Sequence, residues 1–318
     1  MMLVIDPNNP EPWFNLAAEE YLFREMNQEI FLVYINSRSV IIGKHQNPAE
    51  EASARCLREN NIPLIRRMSG GGAVYHDEGN LNYAFIMDKS AGKPVNFSDY
   101  TTPVISFLNE LGLDAYAGVK NEIRARGLKI SGNAWHVFKN RVLHHGTLLF
   151  SADLGLMSCC LEPAGAVINS RAVQSNRTEV CNIQDLLPRI SGIPELKNLF
   201  VDYILNSIND AGIYTLNNND IKNINKLKEE KFMSWDWNYA YGPDYDFSRK
   251  FHIMNKPAYI HMKISKGIIR ECKFTASGKW ERLGQLLPGT RHNFDDIAGL
   301  IIDNGFSSDS DLVYNFLM

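Results

Sequence analysis

The sequence has no run of roughly 18 uninterrupted apolar residues, so it contains no candidate membrane-spanning helix. It has no large excess of either charge. The formal net charge is −3, which gives no general attraction for nucleic acid or for an anionic membrane, so any anion has to be held by a local cluster. Basic residues are missing from the first twenty positions, where Asp6, Glu11, Glu19 and Glu20 stand instead. That pattern is wrong for a signal peptide and predicts a cytoplasmic protein. Cysteine is sparse: Cys56, Cys159, Cys160, Cys181 and Cys272 are odd in number and form no CxxC pair. This argues against a structural zinc site or a disulfide framework and leaves the cysteines as small buried hydrophobes. Internal repeats and low-complexity tracts are absent, as are the GxxxxGK[ST] loop and a GxGxxG opening a helix. What remains is a chain of 318 residues with ordinary globular composition, enough for one large domain and a small one.

Apolar periodicity gives the elements. Phe14, Ala17, Ala18, Tyr21 and Leu22 recur at helical spacing, with Pro12 tolerated in the first turn, and this helix reads as the first element. Strands are expected at 30–35, 40–43, 64–67, 73–76 and 81–87, and helices at 48–59 and 98–111. A hairpin is expected from 129–138 and 142–150 about the turn Lys139-Asn140-Arg141. Helices dominate after residue 154, and the polar stretch 217–225 reads as a surface loop or a helix start. A boundary near Asp246 divides a large unit, 1–246, from a small one, 247–318, whose strands 259–264 and 268–274 turn at Lys266-Gly267. Strands with inserted helices, followed by a small mixed unit, make the fold class α+β.

The strongest chemical signal is Arg66-Arg67-Met68-Ser69-Gly70-Gly71-Gly72-Ala73-Val74-Tyr75-His76-Asp77. Adjacent glycines let backbone N–H groups approach an anion, and guanidinium suits phosphate or carboxylate. A tight turn with solvated arginines would explain the glycines alone; arginines on one side and His-Asp on the other favour a ligand loop. The second signal is Lys129-Ile130-Ser131-Gly132-Asn133-Ala134 with His144-His145-Gly146-Thr147. Strand neighbours face opposite sides, so the two histidines cannot easily share a metal; one belongs to the core and one to a site.

The pattern RRxSGGGAVxHDxGN, then KISGxA, then HHGTLL resembles the lipoate-protein ligases. The likeness extends to Asn15-Leu16-Ala17-Ala18-Glu19-Glu20, to Ile42-Gly43-Lys44-His45-Gln46-Asn47, to Trp235-Asp236-Trp237-Asn238 and to the segment around Lys266-Gly267. The resemblance implies a catalytic domain like those of biotin ligases and class II synthetases, with a small C-terminal accessory domain. It implies ATP and Mg2+ as cofactors, lipoic acid as substrate, and activation to lipoyl-AMP before transfer to a lysine. The implied acceptors are apo lipoyl domains of 2-oxoacid dehydrogenase complexes or the glycine-cleavage H protein. No nucleic acid or membrane partner is implied, and a monomer is expected. By position, Lys129 would be catalytic. Arg67, Gly72, Ala73, Val74, Tyr75, Asn121 and Lys129 would hold the adenylate. Leu16, Arg67, Ser69, Gly70, Gly71, His76, Lys129, His145, Gly146 and Thr147 would hold lipoate. No metal ligand is assigned.

Two departures stand out. Ser175-Asn176-Arg177-Thr178-Glu179 carries an acidic residue where the family often has a basic one, and Ala276-Ser277-Gly278 replaces a Gly-Asp turn. An acyltransferase of the same fold would need a cysteine in a Pro-Cys-Gly segment, where this chain has Pro163-Ala164-Gly165. A biotin ligase would alternate arginine and glycine in its loop. A paralogue that binds lipoate without activating it would be expected to lose Arg67 or Lys129, and both are present.

Overall fold

The computed structural model describes residues 1–89, 96, 98–119, 121–162, 165–175, 178–306 and 310–317. Its centre is an eight-stranded mixed sheet in the order Ala211–Ile213, Met2–Ile5, Glu29–Tyr34, Asn80–Asp88, Arg141–Leu149, Leu128–Phe138, Glu122–Ala125 and Ala115–Ala117. Both faces are covered, so its central strands are almost continuously buried. On one face Phe31, Tyr83, Phe85 and Val142 pack under the helices Ser98–Glu110 and Ile193–Ser207, where Phe107 stacks on Phe200 at 4.4 Å. On the other, Ile30, Leu32, Ala84 and Leu143 meet the helix Pro12–Glu25. A three-stranded sheet, Leu64–Arg66, Ser39–Ile42 and Val74–His76, supports the glycine loop. A four-stranded sheet, Val167–Ser170, Tyr245–Ile253, Lys256–Ser265 and Ile268–Thr275, forms a separate core with the helix Phe294–Asp303.

The α+β expectation holds, and so does the hairpin, with Lys139 and Asn140 at its turn and Lys139 at φ 56°. Several readings need correction. The first element is the strand Met2–Ile5, not the helix. The helix expected over 48–59 is two short ones, Pro48–Glu51 and Ala54–Glu59, because Asn47 and Ser53 each cap a new start with their side chains. The region after 154 also holds the strands Val167–Ser170 and Ala211–Ile213. Of the two readings of the asparagine-rich stretch, the helix start holds: it begins the helix Asn218–Leu227, which Asn217 and Asp220 open with reciprocal side-chain caps. Lastly, the cysteines are not all free: Cys56 is bonded to Cys159. A spacing of 103 residues carries no pairing signal, and only the packing of two helices brings them together.

His144 and His145 do face opposite sides. His144 lies over Tyr100 at 5.5 Å, with neither ring nitrogen hydrogen-bonded among the described residues. Burial pulls its pKa down to about 3; it pulls His76 to about 3 and His292 to about 4. A folded-state value below the unfolded value means that protons bind the unfolded chain first, so stability is present above about pH 6.5 and falls as pH drops toward those values. Each such group contributes a slope of up to about 1.4 kcal/mol per pH unit. The melting temperature should therefore fall by on the order of 10 °C between pH 7 and pH 5. His144→Leu should shrink that fall by about a third, and an unchanged profile in calorimetry would remove His144 from the account.

Candidate functional site

Between the glycine loop and the strands Leu128–Phe138 and Arg141–Leu149 lie two adjoining cavities, of about 350 Å³ and about 440 Å³. They share the walls Ala73, Val74, Lys129, Gly132, Thr147 and Ser175. The smaller lobe is lined by Leu16, Arg67, Gly71, Gly72, His76, Asn121, His145 and Gly146. Tyr75 lines the larger lobe, together with Leu154, Met157 and Leu161. Of the residues singled out from sequence, Ser69 and Gly70 line neither lobe. Ser69 is fully buried behind the loop, where its Oγ meets His145 Nε2 at 2.6 Å and accepts from Arg67 Nε at 2.9 Å.

The loop is held from beneath. Arg67 donates to Ser69 Oγ, to the Ile41 carbonyl and, through Nη2, to the Gly70 and Gly72 carbonyls at 2.6 and 2.8 Å. Most of its donors are therefore spent on the loop. Burial lowers its pKa to about 10, opposed by Glu19, Tyr34 and Glu51, so it stays charged at neutral pH. Gly71 sits at φ +86°, a conformation that side-chain-bearing residues resist. Arg66 points the other way. It donates to the carbonyls of Gly43, Lys44, Gln46, Trp237 and Asn238, while Trp237 Nε1 donates back to the Arg66 carbonyl at 2.6 Å. The Trp-Asp-Trp-Asn segment thus braces the strand that feeds the loop.

Two histidines line the smaller lobe, each held by a hydrogen-bonded neighbour. Asn15 Nδ2 donates to Asn36 Oδ1 at 2.8 Å, which turns the Asn36 amide nitrogen toward His76 Nδ1 at 3.0 Å. Nδ1 therefore accepts, and the buried Nε2–H has no partner among the described residues. Burial, with Arg67 and His145 nearby, keeps His76 neutral. His145 meets Glu19 through Nδ1 at 2.8 Å and the Ser69 hydroxyl through Nε2, and Glu19 is in turn fixed by the Tyr34 hydroxyl at 2.9 Å. Gly146 sits where the Tyr83–Asn133 hydrogen bond crosses; an added Cβ would come within 2.3 Å of Asn133 Oδ1. Sequence reading did not assign Asn15, Glu19, Tyr34, Asn36, Asn82 or Ser175 to the site. Asn15, Glu19 and Ser175 lie in segments that the family resemblance includes; Tyr34, Asn36 and Asn82 carry no local signal.

Lys129 stands at the junction of the lobes. It is half-buried, and its ammonium has no hydrogen bond or ion pair among the described residues. Burial lowers its pKa; Glu122 opposes that and Arg124 adds to it. Its backbone pairs with Glu179 and Cys181, which closes the strap after Ser175 onto the strand. Ser175 Oγ bonds the Ala73 N–H at 2.8 Å and also meets the Glu51 carboxylate. Asn121, at φ 51°, borders the smaller lobe, and the Glu122 carboxylate is taken by Arg124. A cleft of two lobes with one unpaired cation between them can hold two anionic ligands end to end.

Comparisons with known proteins identify the family. Residues 11–205 match the model of the lipoyl protein ligase A/B catalytic domain. The chain is 37% identical over 303 residues to lipoate-protein ligase 1 of Staphylococcus aureus, covering 93% of this chain and 92% of that one. It is 36% identical over 310 residues to lipoate-protein ligase LplJ of Bacillus subtilis, covering 94% and 93%. A putative lipoate protein ligase of T. acidophilum with bound lipoic acid superposes with TM-score 0.62 at 27% identity, over 74% of this chain and 98% of that one. A lipoate-protein ligase A bound with ATP gives 0.64 at 28% identity, over 74% and 97%. A structure from an archaeal lipoylation system, a bi-partite ligase and its E2 lipoyl domain from Thermoplasma acidophilum, gives 0.61 at 27%, over 74% and 94%. The α+β fold is the one these ligases have, and the chain belongs to the lipoate-protein ligase family.

Proposed function

We propose that this chain activates lipoate with ATP to lipoyl-AMP, releasing pyrophosphate, and then passes the lipoyl group to a lysine of an acceptor lipoyl domain. The observation that carries this reading is the unpaired Lys129 ammonium at the junction of the two lobes. A carboxylate and an α-phosphate repel each other, and a fixed cation between them offsets that repulsion as charge gathers at the reacting oxygens. Lipoate fits the smaller lobe, where Leu16 and Ile41 offer apolar surface and His76 Nε2–H a donor. The nucleotide fits the larger lobe, against Ala73, Val74 and Tyr75.

No group of three or more acidic, histidine or cysteine side chains able to hold a metal occurs among the described residues. The lobes carry separate carboxylates such as Glu162 and Glu179. Such a site suits a magnesium ion that keeps most of its water and arrives on phosphate oxygens. Acceptors from 2-oxoacid dehydrogenase complexes or the glycine-cleavage H protein, a cytoplasmic location and a monomeric state belong to the same proposal. So does a division near Asp246, supported by a core whose buried residues come from 247–317, although the strand Tyr245–Ile253 begins one residue earlier and the strand Val167–Ser170 of the first unit joins the same sheet.

The test is pyrophosphate release with ATP, magnesium and lipoate, with and without an apo lipoyl domain. Lipoate-dependent release and a lipoyl mass gain on the acceptor are expected. Acyl transfer from a lipoyl- or octanoyl-protein without ATP would overturn the reading. Neither cysteine beside the Glu162 segment stands ready for a thioester route in this structure: Cys159 is bonded to Cys56, and burial pushes the Cys160 thiol up to about 11. Residues 163 and 164 lie outside the described residues. Cys159→Ser combined with Cys160→Ser should keep ligation within about threefold of the reduced parent. Loss of transfer in a folded double variant would instead favour the thioester.

A further inference from the structure

The Cys56–Cys159 bridge joins the helix Ala54–Glu59 to the helix Leu154–Leu161. Its two ends differ. Cys56 is buried, with the Cys160 Sγ 3.6 Å from its own, whereas Cys159 is exposed. The two helices also differ in how they are held. Arg55 and Arg58 tie the first to Asp311 and Asp295 at 2.6 and 2.7 Å, and their guanidinium groups lie over Tyr314 and Phe294 at 4.5 and 3.9 Å. The second helix places Leu154, Met157, Ser158 and Leu161 on the wall of the larger lobe. Nothing in the ligation chemistry uses any of these sulfurs.

We infer that the Cys56–Cys159 bridge is a thiol-exchange site, through which low-molecular-weight thiols set the shape of the larger, nucleotide-side lobe. A thiolate in solution attacks the Cys159 sulfur, on the exposed residue of the pair; the Cys159–Cys56 bond breaks, and Cys56 leaves with the electron pair and takes up a proton. A second thiol attacks the mixed disulfide on Cys159 and releases it. The balance is one protein disulfide and two small thiols giving two protein thiols and one small disulfide. Reduction removes the covalent tie between the helix Leu154–Leu161 and the anchored helix Ala54–Glu59, leaving the Ser53 N–H to Cys160 carbonyl bond and the packing of Cys56, Leu57, Leu156 and Cys160, so the residues that the second helix contributes to the lobe are held less tightly. Cys160 is the second partner within reach of Cys56. Exchange onto it would move the link one residue along the helix, roughly 100° around its axis. Burial holds its thiol protonated, so attack from solvent is the faster route.

The inference uses the ATP reading only for its readout. The full chain is equilibrated with dithiothreitol or with oxidised glutathione, freed of small thiols, and alkylated with iodoacetamide in denaturant. The oxidised form should carry two fewer labels, with the missing pair assigned to Cys56 and Cys159 by fragmentation of the peptides. Calorimetry with ATP and magnesium should show a Kd differing between the two forms by about fivefold or more, the low end of usual coupling between sites. The difference should vanish in Cys56→Ala, which removes the sulfur common to both links, and in Cys159→Ser combined with Cys160→Ser. Equal labelling, or equal ATP affinity in both forms, overturns the inference. If ATP affinity responds while lipoate-dependent pyrophosphate release is missing in both forms, the ligase reading falls and the exchange site stands.

Discussion

Lys129→Ala should lower lipoate-dependent pyrophosphate release by roughly 100-fold or more, the usual effect of removing one charge-stabilising group from a reacting centre. The ammonium lies between the lobes and is not committed to another side chain among the described residues. Its removal therefore leaves no buried partner exposed to a lost bond, and the melting temperature should stay within a few degrees of the parent. The strand position is kept by backbone pairing with Arg124, Glu179 and Cys181, which the substitution does not touch. Because the reacting carboxylate and phosphate draw most on the cation as they come together, the loss should appear mainly in kcat, with a smaller rise in KM for either substrate. Near-normal release from a folded Lys129→Ala enzyme would remove the lysine from the chemistry and leave the two-lobed cleft without its central cation.

Lys129 was singled out through the resemblance, which aligns it with a site lysine; the period of two along a strand says only which residues share a face. The same rule separated His145 from His144. The glycine loop was legible by composition. What could not be read was the work done over long separations. Glu19 and His145 are 126 residues apart, and Arg66 reaches Trp237 and Asn238 across 171 and 172. Glu51 and Ser175, 124 apart, clasp the strap over Ala73. None of these pairs leaves a local trace, since each partner taken alone looks like an ordinary helix carboxylate or loop hydroxyl. The strand Met2–Ile5 was missed for a different reason. Four apolar residues buried on both faces show no alternation. The cysteine bridge was missed because composition argues about numbers and spacing, whereas a disulfide is decided by which helices pack.

Arg67 shows most clearly how a residue can be found in the sequence for one reason and be needed for another. Its place before the glycines suggested contact with a ligand anion, yet in the structure it donates four hydrogen bonds to the protein, three of them to carbonyls at Ile41, Gly70 and Gly72. Arg67→Met keeps the length of the side chain and removes every donor. Three carbonyls and the Ser69 hydroxyl then lose their partner in a buried place, and the buried Glu19 carboxylate loses a neighbouring positive charge. The expected cost is roughly 3–5 kcal/mol, a fall of about 10 °C in melting temperature. Activity should fall by roughly 100-fold or more even at temperatures where the variant is folded, because the loop N–H groups no longer hold the geometry that both ligands need. Arg67→Lys separates charge from shape. Its ammonium restores the positive charge near Glu19, but a compact point donor cannot span Nε and both Nη positions at once. Stability should return in part and activity should stay low. Full activity in Arg67→Lys would mean that the charge alone suffices, and that the loop keeps its shape without the guanidinium beneath it.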